Sequence, residues 1–148
     1  MSLTPTSWLR GARRHMARLP SISMPRVPDA PSQPVRDPWP GDPVRGANLL
    51  KGELELGGHI ILLKPGGFAG LSGAPMLRTL AHGFTWLRDL RALGRDAARL
   101  RARALVGEWI AMPAPDRLAE RPDVAGARIA AWLGHYDFFA ASADDGFR

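Results

Sequence analysis

The stretch Leu77-Arg-Thr-Leu-Ala-His-Gly-Phe-Thr-Trp-Leu-Arg-Asp-Leu-Arg-Ala-Leu-Gly94 decides the fold class. Leu77, Leu80, Phe84, Leu87 and Leu90 recur every three or four residues, the period that stacks side chains on one helix face. Trp86 and Leu93 widen the stripe, and Gly94 suits the left-handed residue that ends a helix. The rhythm returns twice. Ala98, Ala102, Leu105, Trp109 and Met112 carry it up to Pro113 and Pro115; Ala125, Ile129, Trp132, Tyr136 and Phe139 carry it again. Pro122 suits the first turn of that last helix, and Asp123 favours its positive end. Three helices of roughly 15–19 residues, joined by short or proline-rich connections, predict antiparallel helical hairpins.

Upstream, Glu53-Leu-Glu-Leu-Gly-Gly-His-Ile-Ile-Leu-Leu63 alternates leucines with acids, turns at Gly57-Gly58 and continues into a β-branched run. That pattern predicts a two-stranded hairpin, which must lean on something else to be stable. Pro65-Gly-Gly-Phe-Ala-Gly-Leu-Ser-Gly73 reads as loop and lacks the Lys-Ser/Thr ending of a phosphate-binding loop.

The 148 residues carry a formal charge of +6, unevenly distributed. Residues 1–36 hold six arginines and one acid; the remainder is almost neutral. The first 43 residues also hold nine of the fourteen prolines, so residues 1–36 read as a basic, disordered tail. Within it, Ser7 to Leu19 can form a short basic helix with Leu9, Ala12, Met16 and Leu19 on one side. No run approaches the ~18–20 apolar residues of a membrane span, no transmembrane segment is expected, and no secretory signal is visible. Without cysteine there is no disulfide, thiolate site or thiol nucleophile. His15, His59, His82 and His135 lack metal-ligand spacing, and Ser72 lacks a nucleophile-elbow context, so neither metal nor cofactor is expected.

Four ordered blocks carry a family resemblance: Trp39-Pro-Gly-Asp-Pro-Val-Arg-Gly46, Phe84 to Gly94, Arg121-Pro-Asp-Val124 and Ala131-Trp-Leu-Gly-His-Tyr-Asp-Phe-Phe139. Over about Asp37 to Arg148 the chain resembles the N-terminal region of bacterial heparinase II/III-like proteins. The resemblance implies a polysaccharide lyase that cleaves uronic-acid-containing glycans, glycosaminoglycans among them, by β-elimination in the cell envelope or periplasm; with no secretory signal visible, a cytoplasmic location stays open. It implies a mainly α fold, residues 37–148 forming an incomplete α/α toroid of helical hairpins. The remaining toroid and a β-sandwich, which carry the family's catalytic groups, would lie beyond Arg148. The expected partner is an acidic polysaccharide, with no specific nucleic acid, and the chain alone would be inactive.

Candidate substrate-binding residues are Trp39, Arg88, Arg91, His135 and Tyr136; no residue is assigned a catalytic role. Trp39, in its proline-rich loop, is free to stack on a sugar. Arg88 and Arg91, three apart on a helix, can grip a carboxylate or pair within the helix. His135 and Tyr136 are the pair that uronate elimination uses, but adjacent helical positions do not face each other. Tyr136 also fits the core stripe, and His135 fits a hydrogen-bonded helix flank. The second functional reading is a non-catalytic helical interaction module whose basic tail binds anionic polymers or membrane.

Overall fold

The computed structural model describes residues 28–64, 67–113, 116–144 and 147. The expected basic helix at Ser7 to Leu19 lies outside them. The described chain runs α1 (Pro43–Leu50), β1 (Glu53–Leu56), β2 (His59–Leu62), α2 (Pro75–His82), α3 (Leu87–Leu93) and α4 (Asp96–Ile110). A 3₁₀ turn (Arg117–Glu120), α5 (Pro122–Gly134) and the single turn α6 (Tyr136–Phe139) complete it. It is mainly helical with one small antiparallel sheet. Among the described residues, no helix is long and apolar enough to cross a membrane.

The hairpin forms where the sequence places it. Gly57 and Gly58 both take positive φ, 56° and 80°, the pair of left-handed residues that a tight two-residue turn requires. Leu54 faces Ile61 and Leu56 faces His59, so the two strand leucines share the inner face. Both are buried against α1 and α2, which supply the support that an isolated hairpin lacks.

Helix α1 is not anticipated by hydrophobic periodicity, because it begins inside the proline-rich region. Its start is local chemistry. Asp42 caps it, accepting from the backbone N–H of Val44 at 2.8 Å, and Pro43 occupies the first turn where no N–H is needed. The helix then crosses α3 at backbone distance. A Cβ on Gly46 would lie 2.3 Å from the Asp89 carbonyl oxygen, and one on Gly41 would lie 2.0 Å from that of Arg88. Only glycine fits either position.

The long helix expected from Leu77 to Gly94 is two helices. The chain breaks at Gly83, and Phe84 sits at φ 58°, a left-handed conformation costly for a residue with a Cβ. Side-chain spacing survives the break, so periodicity alone could not reveal it. Burial supplies the compensation. Phe84 is fully buried among Phe68, Trp86 and Trp132, with ring centroids 5.3, 4.9 and 5.3 Å away. The Trp86 indole donates to the Ala81 carbonyl at 3.0 Å, satisfying an acceptor at the end of α2. Gly94 closes α3 at φ 67°, as expected.

Helix α4 buries Ala98, Ala102 and Leu105 on the predicted stripe. Helix α5 follows its prediction in part: Trp132 packs against the core, as do Tyr136 and Phe139 beyond the helix, but Ile129 does not. Val124, Ala131 and Gly134 are buried, whereas Ile129 is 56% exposed. The core-facing turn is occupied by Arg128, whose guanidinium lies 4.2 Å from the centre of the Trp109 ring and donates to the carbonyls of Ala119 and His82. An arginine carrying out core work rotates Ile129 to the outside. The expected continuous helix also breaks at His135, at φ −120° and ψ 12°, before the turn of α6.

Candidate functional site

One carboxylate organises the most distinctive surface of the molecule. Asp37 lies in the extended segment before α1, with its side chain 8% exposed. Its Oδ2 is 3.1 Å from an Arg88 guanidinium nitrogen and 3.2 Å from His135 Nε2, and its Oδ1 accepts from the Trp39 N–H at 3.0 Å. Helix α3 presents Arg88, and the break after α5 presents His135. Gly134 makes the approach possible, since a Cβ there would stand 3.0 Å from the Asp37 nitrogen.

The clamp holds Val35 to Trp39 across α5 and leaves a groove of about 630 Å³ between them. Gly126, Ala127, Ala130 and Ala131 form a floor of small residues, and Val35, Trp39, Ile129 and Leu133 stand around it. Those four are exposed, Trp39 to 67%. Apolar residues this exposed are ordinary when scattered, but an aromatic and three aliphatics around one groove make a candidate binding surface. Arg36 and Arg88 line the same groove, adding positive charge to an apolar site.

All five residues singled out in the sequence meet this segment or its supports, but they do not form one catalytic centre. Trp39 exposes its indole, although its backbone N–H is held by Asp37. Arg88 grips a carboxylate, that of Asp37. Arg91 takes a different one, holding Asp137 through two guanidinium nitrogens at 2.5 and 2.9 Å. His135 is 2% exposed and faces Asp37 instead of the groove. Tyr136 donates its hydroxyl to the Asp29 carbonyl at 2.8 Å, pinning the segment further upstream. The residue that sequence reasoning missed is Asp37, and its partners are too remote in sequence for any local motif to reveal them.

The other aromatic and basic candidates are structural. Trp109 and Trp132 pack edge to face at 5.6 Å, and Trp109 donates to His82 Nδ1 at 3.0 Å. Arg99 pairs with Asp96, and Arg103 donates to the Phe139 carbonyl and to Ser142. Among the described residues, no group of histidines and acids could hold a metal ion.

Both buried histidines are held neutral. Burial pushes the pKa of His82 and of His135 below the usual 6.5, against the opposing pull of Asp116 and Asp37 respectively. The unfolded chain therefore takes up protons near pH 6.5 while the folded chain resists them. Stability should fall as pH drops from about 6.5, by at most about 1.4 kcal/mol per pH unit for each histidine. Asp89, raised by burial, acts in the opposite sense at lower pH. Thermal unfolding from pH 7.5 to 5.5 should show a declining midpoint, and H82Q with H135Q should flatten that decline.

No family model matches the chain. A relative that does is FtsZ-localized protein C of Caulobacter vibrioides (strain NA1000 / CB15N), 39% identical over 90 residues. Those residues make up 60% of this chain and 15% of that protein, so the chain spans a small part of the relative it matches. No solved structure matches. The match overturns the expected membership of the heparinase II/III-like family. With it go the polysaccharide lyase function and the glycosaminoglycan and acidic-polysaccharide partner, and the expected cell-envelope location loses its support. The toroid rested on the same resemblance and loses its ground; the helical fold with its β-hairpin stands.

Proposed function

We propose that this chain is a docking module of a bacterial cell-division protein, working in the cytoplasm at an FtsZ-containing assembly. The observation that carries the reading is the similarity to a protein named for its localisation with FtsZ. The groove beside Trp39 supports it, because it offers a binding surface without an accessible set of catalytic groups around it. Residues 37–148 act as the helical body in this reading, and the docking face is the side formed by Val35, Trp39, Ile129 and Leu133.

The fixed segment gives such a surface its value. Asp37 and the backbone contact at Gly41 set the position of Trp39 before a partner arrives, so less ordering entropy is lost on binding. Large aromatic anchors of this kind dominate interface energies. Co-sedimentation with polymerised FtsZ from the same organism tests the proposal. The wild-type chain should pellet with polymer, and the W39A/I129E variant should bind about tenfold more weakly or worse, consistent with loss of an anchor. Wild-type protein left in the supernatant, or a folded double variant that pellets equally well, would overturn it.

A further inference from the structure

The charges around the Trp39 groove are lopsided. Its ionisable lining is Arg36, Asp37 and Arg88. Asp37 supplies the negative charge, but its side chain is 8% exposed and its oxygens are taken by Arg88, His135 and the Trp39 N–H. That charge is committed inside the clamp. Arg88 brings one guanidinium nitrogen within 3.1 Å of the carboxylate and keeps 26% of its side chain in solvent. Arg36 is exposed and makes no ion pair among the described residues. Two further acids stand on the elements around the groove, and both are engaged. Asp137 feels Arg36, but Arg91 holds both of its oxygens. Asp123, in the first turn of α5, is paired with Arg121. The groove is therefore apolar within and positive along its strap side.

That combination selects among apolar partners. A basic amphipathic segment would meet Arg36 and the open side of Arg88 as like charges. A wholly apolar segment would strip water from Arg36 and offer nothing in return, which is costly. An apolar segment that also carries carboxylates fills the groove and gives the guanidinium groups the planar acceptors they bind best. Shape separates a peptide from a lipid surface. The groove is a cleft, with Val35 to Trp39 on one side and Ile129 and Leu133 on the other. Side chains standing out from a backbone can enter it, whereas the flat face of a bilayer cannot.

We propose that the Trp39 groove receives a short apolar segment of a protein partner, with glutamate or aspartate side chains directed at Arg36 and Arg88. The proposal rests on reading the Trp39 face as the docking surface, and it adds the chemistry of the occupant. Trp39 and the aliphatic side chains supply contact area. The arginines set the sign of charge accepted and orient the segment along the strap.

The test is titration of the full chain with a short capped peptide that alternates leucine and phenylalanine with glutamate, and with a twin carrying lysine at each glutamate. Backbone NMR shifts locate each ligand. The acidic peptide should move signals from Val35 to Trp39 and from Gly126 to Leu133. It should bind about tenfold or more tightly than its twin, the difference between a charge-assisted hydrogen bond and a like-charge contact. R36E, at an exposed position outside the clamp, should cancel or invert that preference, and W39A should weaken both peptides. Equal binding of the two peptides by the wild-type chain would overturn the proposal, as would shifts confined to other surfaces. Dihexanoyl phosphatidylglycerol, kept below its micelle concentration, serves as the lipid probe and should leave the groove signals in place. Displacement of the acidic peptide by that lipid would give the groove to a membrane component and sink the proposal. A chain that prefers the acidic peptide but stays in the supernatant with FtsZ polymer refutes the division reading alone. One that pellets with FtsZ yet treats both peptides alike refutes the acidic-segment proposal alone.

Discussion

Phe84→Ala is expected to destabilise the chain by about 3–5 kcal/mol, the cost of truncating a fully buried aromatic side chain. The phenyl ring is a shared contact of the aromatic core, touching Phe68, Trp86, Trp109 and Trp132. Its backbone conformation sharpens the prediction. At φ 58° the residue is strained whether its side chain is phenylalanine or alanine, so the variant keeps the strain and loses the compensation. Phe84→Gly relieves the backbone while removing the same ring, and should be less damaging than alanine by about 1 kcal/mol. Urea unfolding of the three proteins measures both differences. A glycine variant less stable than the alanine variant would show that the left-handed backbone is not where the cost lies.

Asp37→Ala should cost about 2–4 kcal/mol. Its carboxylate is the common partner of Arg88, His135 and the Trp39 N–H, and its removal leaves a buried histidine and a mostly buried guanidinium unmatched. The figure sits below the upper range for a broken buried pair because Arg88, with its side chain 26% exposed, can recover some hydration. Asp37→Asn keeps the size and part of the hydrogen bonding and should cost less. Hydrogen exchange adds a readout that simple destabilisation does not. In Asp37→Ala the amides of residues 39–42 should exchange well before those of α3 and α4, because the segment is freed from a body that stays folded. Uniform acceleration across all helices would argue that Asp37 holds the whole fold and not the docking segment.

The helical class was legible because alternating gaps of three and four survive from sequence into structure in α2, α3 and α4. The hairpin was legible because Gly57-Gly58 has few alternatives. Arg128 shows why α5 was misread. A rule that sends apolar residues inward has no place for a guanidinium stacked on Trp109, so it placed Trp132 correctly but hid Ile129 in the core. That same error concealed the groove, since Ile129 joins Leu133 at the surface only once Arg128 takes the inward position. Helix α1 carried a readable signal, a capping aspartate followed by proline, but it was submerged in the proline density around it. The clamp was illegible for a different reason: Asp37 and His135 are 98 residues apart, and no spacing rule operates over that distance.

The span of that clamp bears on the order of assembly. The bonds from Asp37 to His135 and from Asp29 to Tyr136 close loops over almost the whole described chain, the entropically slow step in folding. During synthesis the hairpin and α1 to α4 can find their partners early, but the proline-rich strap has nothing to fasten to until α5 has left the ribosome. Trp39 is therefore positioned last. A nascent or interrupted product that ends before α5 would expose the tryptophan without its groove, so the candidate docking face exists only once α5 has been made.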